Sequence, residues 1–172
     1  LNWYEAYDHF LKENGFTKAF PTVDDLTKAM GNVSFYYQGR IIENIRINNT
    51  VDGYAINGWE SMKLENHSGI VDNYRNPKGD PELIARYNKP IFVSVKLNRK
   101  VLAVGDTTTV DFYLVNEKNL HGNYLLKASL KNNQGEIQET KMWTVNVSGG
   151  IKYGELLQAG WKTRINSEGY ST

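Results

Sequence analysis

From residue 91 onward the apolar positions recur every second residue, and that period limits what the chain can build more than any other feature. Ile91, Val93, Val95 and Leu97 alternate with Phe92, Ser94 and Lys96, and Val110, Phe112 and Leu114 alternate with Asp111 and Tyr113. Leu126, Ala128 and Leu130 alternate with Lys127, Ser129 and Lys131, and Trp143, Val145 and Val147 close the set. Side chains two apart on a strand share a face, so each run presents one apolar face and one wet face. Turn residues separate the runs at 104–106 (VGD), 116–123 (NEKNLHGN) and 132–135 (NNQG). Short antiparallel strands with one apolar face are stable only against a second sheet, which predicts an immunoglobulin-like β-sandwich over residues 91–148.

The first fifty residues follow a helical period instead. Trp3, Tyr7, Phe10 and Leu11 fall on one face, and Asn14-Gly15 supplies a left-handed stop. A second, short helix opens at Thr22, whose hydroxyl can cap free amides while Asp24 and Asp25 favour the positive end, and closes at Gly31. A third is expected over residues 34–48, with Phe35, Gln38, Ile42 and Ile45 on one stripe, Ile41 widening it and Gly39 weakening it. Gly53-Tyr54-Ala55-Ile56 is short, apolar and directly follows a helix, so it reads as a buried strand of a parallel α/β unit. Residues 73–90 hold three of the four prolines and read as a surface linker with a turn or two of helix over 82–87. After Gly149-Gly150 a further β unit is expected to begin, with a strand around 161–165.

Composition removes several function classes. Twenty basic side chains against 19 acidic ones leave a net charge of +1, so no field gathers phosphate polymers or anionic lipid, and neither nucleic acid nor membrane is an expected partner. No apolar run reaches the roughly 18–20 residues of a membrane span, and no cysteine is present to form disulfides or thiolate metal sites. His9, His67 and His121 have no ligand spacing to one another, so no metal and no cofactor are expected. The serines lack a GxSxG elbow.

Carboxylates and aromatics remain. A strand ending in Gly58-Trp59-Glu60 would expose that pair at the carboxyl edge of a parallel sheet, where α/β folds place their sites. Trp59 could stack on the apolar face of a pyranose and Glu60 could accept sugar hydroxyls or handle a proton; equally, Trp59 could plug a core and Glu60 be a solvated turn residue. Glycosidic hydrolysis needs two carboxyl groups roughly 5–9 Å apart. Asp52 would lie at the wrong end of the strand, and Glu65 or Asp72 would need loop geometry to come near.

Gly69-Ile70-Val71-Asp72, Arg75 and Pro77-Lys78 fit the passage G-[IL]-V-D-x-x-R-x-P-K, which closes the catalytic barrel of glycoside hydrolase family 2, and residues 34–150 resemble the end of that barrel with the sandwich that follows. The resemblance implies an α+β fragment with four parts. Residues 1–75 would be helices and the last strand of a (β/α)8 barrel, 76–90 a linker, 91–148 an immunoglobulin-like β-sandwich, and 149–172 the start of a further β-domain. It implies a parent that cleaves terminal β-linked sugars with retention, as β-galactosidases and β-glucuronidases do. Both catalytic glutamates would precede Leu1, since nothing here matches the family's Asn-Glu pair, and the chain alone would then be inactive. Trp59 carries over as a sugar platform, with Glu60 beside it as a substrate-binding residue.

A carbohydrate is therefore the expected partner, and a periplasmic or secreted parent the expected setting. An uncovered barrel surface would also repack or pair with a second copy. Two other classes stay open: a non-catalytic carbohydrate-binding module using Trp59, Trp143 or Trp161, and a structural sandwich that braces a neighbour.

Overall fold

A computed structural model describes residues 2–60, 69–166 and 168–169 of the 172-residue chain. The fold is α+β: three helices, then antiparallel sheets of three and two strands. It divides into two compact units, Leu1–Ile42 with Gly53–Asn88, and Glu43–Asp52 with Lys89–Thr172.

The first unit is helical. Helix α1 (Trp3–Glu13) ends where expected, with Gly15 at φ 71°, a left-handed value that glycine adopts without steric cost. Helix α2 runs without interruption over Val23–Arg46, where the sequence predicts two helices separated at Gly31. Its start is capped as predicted: Thr22 Oγ1 accepts the Asp25 N–H at 3.1 Å, and Asp25 Oδ2 accepts the Thr22 N–H at 3.1 Å, so two free donors are satisfied reciprocally. Gly31 does not stop the helix because its role is packing. A Cβ there would stand 1.7 Å from the Lys78 carbonyl oxygen, so the helix and the Lys78-Gly79 backbone meet directly. Gly79 is also tight: a Cβ there would stand 2.6 Å from Asn32 Oδ1, which accepts the Asp80 N–H at 2.7 Å. About two turns further along the helix, Gly39 admits the Tyr87 ring, whose atoms begin 2.4 Å from where its Cβ would be. Tyr87 follows the short helix α3 (Glu82–Ala85) in a 3-10 turn, and Phe35 is fully buried.

The expected barrel is not formed. Residues 53–56 are not a strand and have no ladder partner among the described residues. Tyr54 and Ile56 stand 37–38% exposed, so the apolar run lies on the surface. A short apolar run becomes a buried strand only where neighbouring strands take its N–H and C=O groups.

The second unit holds the last turn of α2 and five strands: β1 (Ile91–Leu97), β2 (Thr107–Asn116), β3 (His121–Lys131), β4 (Ile137–Ser148) and β5 (Lys152–Arg164). β2 lies between β1 and β5, and β3 pairs with β4, all antiparallel. Each alternating run of the sequence is a strand, and the turns fall as expected, with Gly105 at φ 95° and Gly135 at φ 83°. β5 begins much earlier than residue 161, just past Gly149-Gly150, and Lys152 faces Asn116 across the sheet.

Side chains from both sheets meet in one apolar cluster: Val110, Phe112 and Trp161 at its centre, with Val93, Leu126 and Trp143 among those packed around it. The Phe112, Trp143 and Trp161 rings lie 5.7–6.1 Å apart in stacked, tilted and edge-on pairs. Such pairs each add roughly 0.5–1.5 kcal/mol beyond the area they bury. Glu139 of β4 accepts from Trp161 Nε1 at 3.3 Å and from Thr163 Oγ1 at 2.6 Å, satisfying the polar edge of the cluster.

The α2 turn in this unit is held by charge. Glu43 and Arg46 are buried. Ser94 Oγ donates to Glu43 Oε1 at 2.7 Å, and Arg46 donates to the Lys89 carbonyl at 2.9 Å and to Glu117 Oε1 at 2.7 Å. Gly154 lets the Ile47 carbonyl approach to 2.0 Å from the position of a Cβ.

Gly31→Ala tests the packing role. Removing glycine from a helix normally stabilises it by about 1 kcal/mol, but overpacking against backbone costs about 1–3 kcal/mol, and here there is no flexible side chain to move. The expected result is a net loss seen as a lower urea midpoint; a rise would show that Gly31 is there for some other reason.

Candidate functional site

Trp59 and Glu60 and the motif Gly69 to Lys78 are brought together by the main chain. The Trp59 carbonyl accepts two N–H groups, from Ile70 at 3.0 Å and Val71 at 3.1 Å, and Glu60 forms a parallel bridge with Val71. Val71 bridges Pro77 antiparallel on its other side, and the Lys78 N–H returns to the Ile70 carbonyl at 3.0 Å. Val71 is buried at the centre of this small ladder. The chain arrives at Trp59 through Gly58 at φ 69°, and Gly69 at φ 85° starts the returning segment.

Asp72 organises the turn. Its Oδ1 accepts the Tyr74 and Asn76 N–H groups, both at 2.8 Å, and its Oδ2 accepts the Asn76 side-chain amide at 3.1 Å. The Asp72 N–H in turn donates to the Asn76 carbonyl at 2.9 Å. Closing so short a loop forces Arg75 to φ 66°, a left-handed value that side chains other than glycine seldom adopt. The Asn76 N–H is the largest cause holding the Asp72 carboxyl below its ordinary 3.8; desolvation opposes it, and the Asn76 amide, the Tyr74 N–H and the Lys78 charge lower it further. Burial pushes the Lys78 ammonium below 10.5, with Asp72 opposing.

The Trp59 ring is 65% exposed, so it does not plug a core, and Glu60 is also on the surface. Both side chains are open to solvent. Asp72 is not available as a second carboxylate for chemistry, because both its oxygens are engaged by the turn. Glu65 and His67 lie outside the described residues. Asp52 is exposed on the stretch that leads to Gly53. Among the described residues no three His, Cys, Asp or Glu side chains come together as a metal site would require. Among the described residues no helix is long and apolar enough to cross a membrane.

Trp143 and Trp161 are committed to the Phe112 cluster and offer no free platform. Two features went unread in the sequence. Asn76 is the second half of the Asp72 turn, and the signal for it was an Asp and an Asn four apart, directly before a proline. Of the α1 face read as Trp3, Tyr7, Phe10 and Leu11, Leu11 is buried, whereas Trp3, Tyr7 and Phe10 are exposed and, with Ala6, line a shallow open depression.

Compared with protein-family models, with curated proteins and with solved structures, the chain matches none.

The turn predicts a pH response. Because the folded Asp72 value is lowered, its contribution is fully present above the unfolded value near 3.8 and is lost as pH falls through the lower folded value. Protection of the Tyr74 and Asn76 amides against exchange, taken relative to the intrinsic rate at each pH, is expected to hold down to about pH 4 and to fall below it. In Asp72→Ala that protection should be lost at every pH while that of the Phe112 amide in β2 is unchanged. Equal exchange in the two proteins at pH 6 would refute the role given to this carboxylate.

Proposed function

We propose that this chain is part of a family 2-like glycoside hydrolase that cleaves terminal β-linked sugars, and that Trp59 and Glu60 form one wall of its sugar site. The observation that carries this is the pair of hydrogen bonds from Ile70 and Val71 to the Trp59 carbonyl. They join the Trp59-Glu60 segment to the G-I-V-D-x-x-R-x-P-K passage whose sequence suggests the family. A pyranose presents a patch of C–H groups on one face and hydroxyls around its rim. An open indole takes the first by stacking, and a neighbouring carboxylate accepts the second.

In this proposal Trp59 orients the sugar and Glu60 fixes a hydroxyl, while the acid/base and nucleophilic glutamates come from sequence outside this chain. Asp72 and Arg75 are positioning residues: they shape the turn that directly follows Ile70 and Val71, whose N–H groups hold Trp59. The five strands form the immunoglobulin-like sandwich that follows the barrel in the parent, and no cofactor takes part. The second reading, a binding module without catalysis, is favoured by the openness of the Trp59 ring. With Trp143 and Trp161 in the apolar cluster, it too rests on Trp59.

Titration of the chain with β-galactosides and β-glucuronides, followed by NMR at the Trp59 indole N–H, is expected to show millimolar binding. Trp59→Ala should weaken it at least about tenfold, and Glu60→Gln several-fold, in line with about 1–2 kcal/mol for a stacking or charged hydrogen-bonding partner. Hydrolysis of the nitrophenyl glycosides by this chain alone should be undetectable. Turnover that vanishes in Glu60→Gln would move the catalytic carboxylate onto this chain. Absence of any sugar-dependent shift at Trp59 would end both sugar readings.

A further inference from the structure

The sequence contains two Asn-Gly steps, Asn14-Gly15 and Asn57-Gly58, and the fold treats them differently. At the end of α1 the Asn14 side-chain amide donates to the Phe10 carbonyl at 2.9 Å, and the Gly15 N–H donates to the Lys12 carbonyl at 3.4 Å. Both polar groups of that step are engaged. Neither is engaged at Asn57-Gly58. Among the described residues no main-chain group from Asp52 to Gly58 has a backbone hydrogen bond, although Val51 before them and Trp59 after them do. Asn57 is exposed, and its side-chain amide has no partner among the described residues.

We infer that Asn57-Gly58 is a self-modifying site, at which the chain converts Asn57 to aspartate and isoaspartate through a cyclic imide while Asn14 is spared. The Gly58 main-chain nitrogen gives its proton to a solvent base and attacks Asn57 Cγ. The new C–N bond closes a five-membered ring, and the bond from Cγ to Nδ2 breaks to release ammonia. Water then opens the ring at one of its two carbonyls. Breaking the bond from Gly58 N to Cγ leaves an ordinary aspartate. Breaking the bond from Gly58 N to the Asn57 main-chain carbonyl carbon leaves isoaspartate, with the chain running through Cγ. One water is consumed and one ammonia leaves, with nothing oxidised or reduced.

Three features favour ring closure here. Nucleophile and electrophile sit on adjacent residues, so the rate depends on how freely the chain reaches the reactive geometry. Gly58 has no Cβ to crowd the ring, and from φ 69° a glycine can change conformation at little steric cost. With no main-chain hydrogen bond to break, residues 52–58 can turn without opening the rest of the unit. At Asn14 the same movement must first release Phe10 and Lys12. The product reaches further than its own residue. Trp59 follows Gly58 directly, and its carbonyl is the acceptor for Ile70 and Val71. Isoaspartate inserts one carbon into the main chain just before that anchor, whereas aspartate adds only a charge. None of this depends on a sugar.

The test is to hold the full chain at pH 6 and at pH 8, digest it, and follow the peptides that contain Asn14 and Asn57 by mass spectrometry. The mass gain of an amide-to-acid exchange is expected at Asn57, faster at pH 8, where more of the Gly58 nitrogen is ionised. Conversion at Asn14 should be at least about tenfold slower, because its hydrogen bonds must be released first. Asn57→Gln should show no gain at this position, since the longer side chain closes a six-membered ring far less readily. Conversion at Asn57 no faster than at Asn14, or equally fast at both pH values, would overturn the proposal. In the isoaspartate form, separated by chromatography, exchange protection of the Ile70 and Val71 amides should fall, while Asn57→Asp keeps it. Protection retained in the isoaspartate form would overturn the effect on the Trp59 anchor.

Discussion

The close approach of α2 to the Lys78-Gly79 backbone is the constraint on which the first unit depends. Two main chains can meet this closely only where neither carries a side chain, and Gly31 and Gly79 supply that on both sides. The contact fixes one end of the segment leading back to Ile70, and through Ile70 and Val71 it fixes the carbonyl of Trp59. An exposed indole is thus held by a buried backbone contact. Rigidity at Trp59 comes from hydrogen bonds to its main chain and leaves its ring free.

The last turn of the same helix is held by different means. Glu43 and Arg46 are almost wholly buried, and a buried charge is tolerated only when it is paired and hydrogen-bonded. Ser94 and the Lys96 ammonium, 3.6 Å from Glu43, meet that requirement for Glu43, and Glu117 and the Lys89 carbonyl meet it for Arg46, all within the second unit. Removing one partner would leave a charge stranded, so these contacts serve more to fix which turn sits where than to add stability.

The sheet half of the fold was legible because its signal is local. A half-buried strand writes its burial into every second residue, and the glycines at 105 and 135 mark turns through their own backbone angles. The capping of α2 at Thr22 was legible for the same reason, since donor and acceptor lie three residues apart. What could not be read depends on distant partners. Gly31 looks like a helix stop until Lys78, 47 residues later, is seen to occupy the space its missing side chain leaves. Residues 53–56 look like a buried strand, but apolarity cannot tell whether neighbours exist to pair with it. The carbonyl contact that ties Trp59 to residues 70 and 71 could not be read either, because it involves main-chain atoms on which sequence is silent. Likewise Ile41 was assigned to the packed face of its helix, and it lies on the other one.

The order of strands in the larger sheet has a consequence for how the chain is made. Strand β2 finds β1 through a short connection, and β3 finds β4 the same way, but the other edge of β2 waits for β5, with Thr107 paired to Arg164. During synthesis the two hairpins can form as they emerge, while the most buried strand of the unit keeps one row of N–H and C=O groups open until β5 follows. Trp161, which completes the aromatic cluster, arrives with β5. Consolidation of the sheet therefore waits for β5, and a polypeptide interrupted before it would be left with a long, sticky edge.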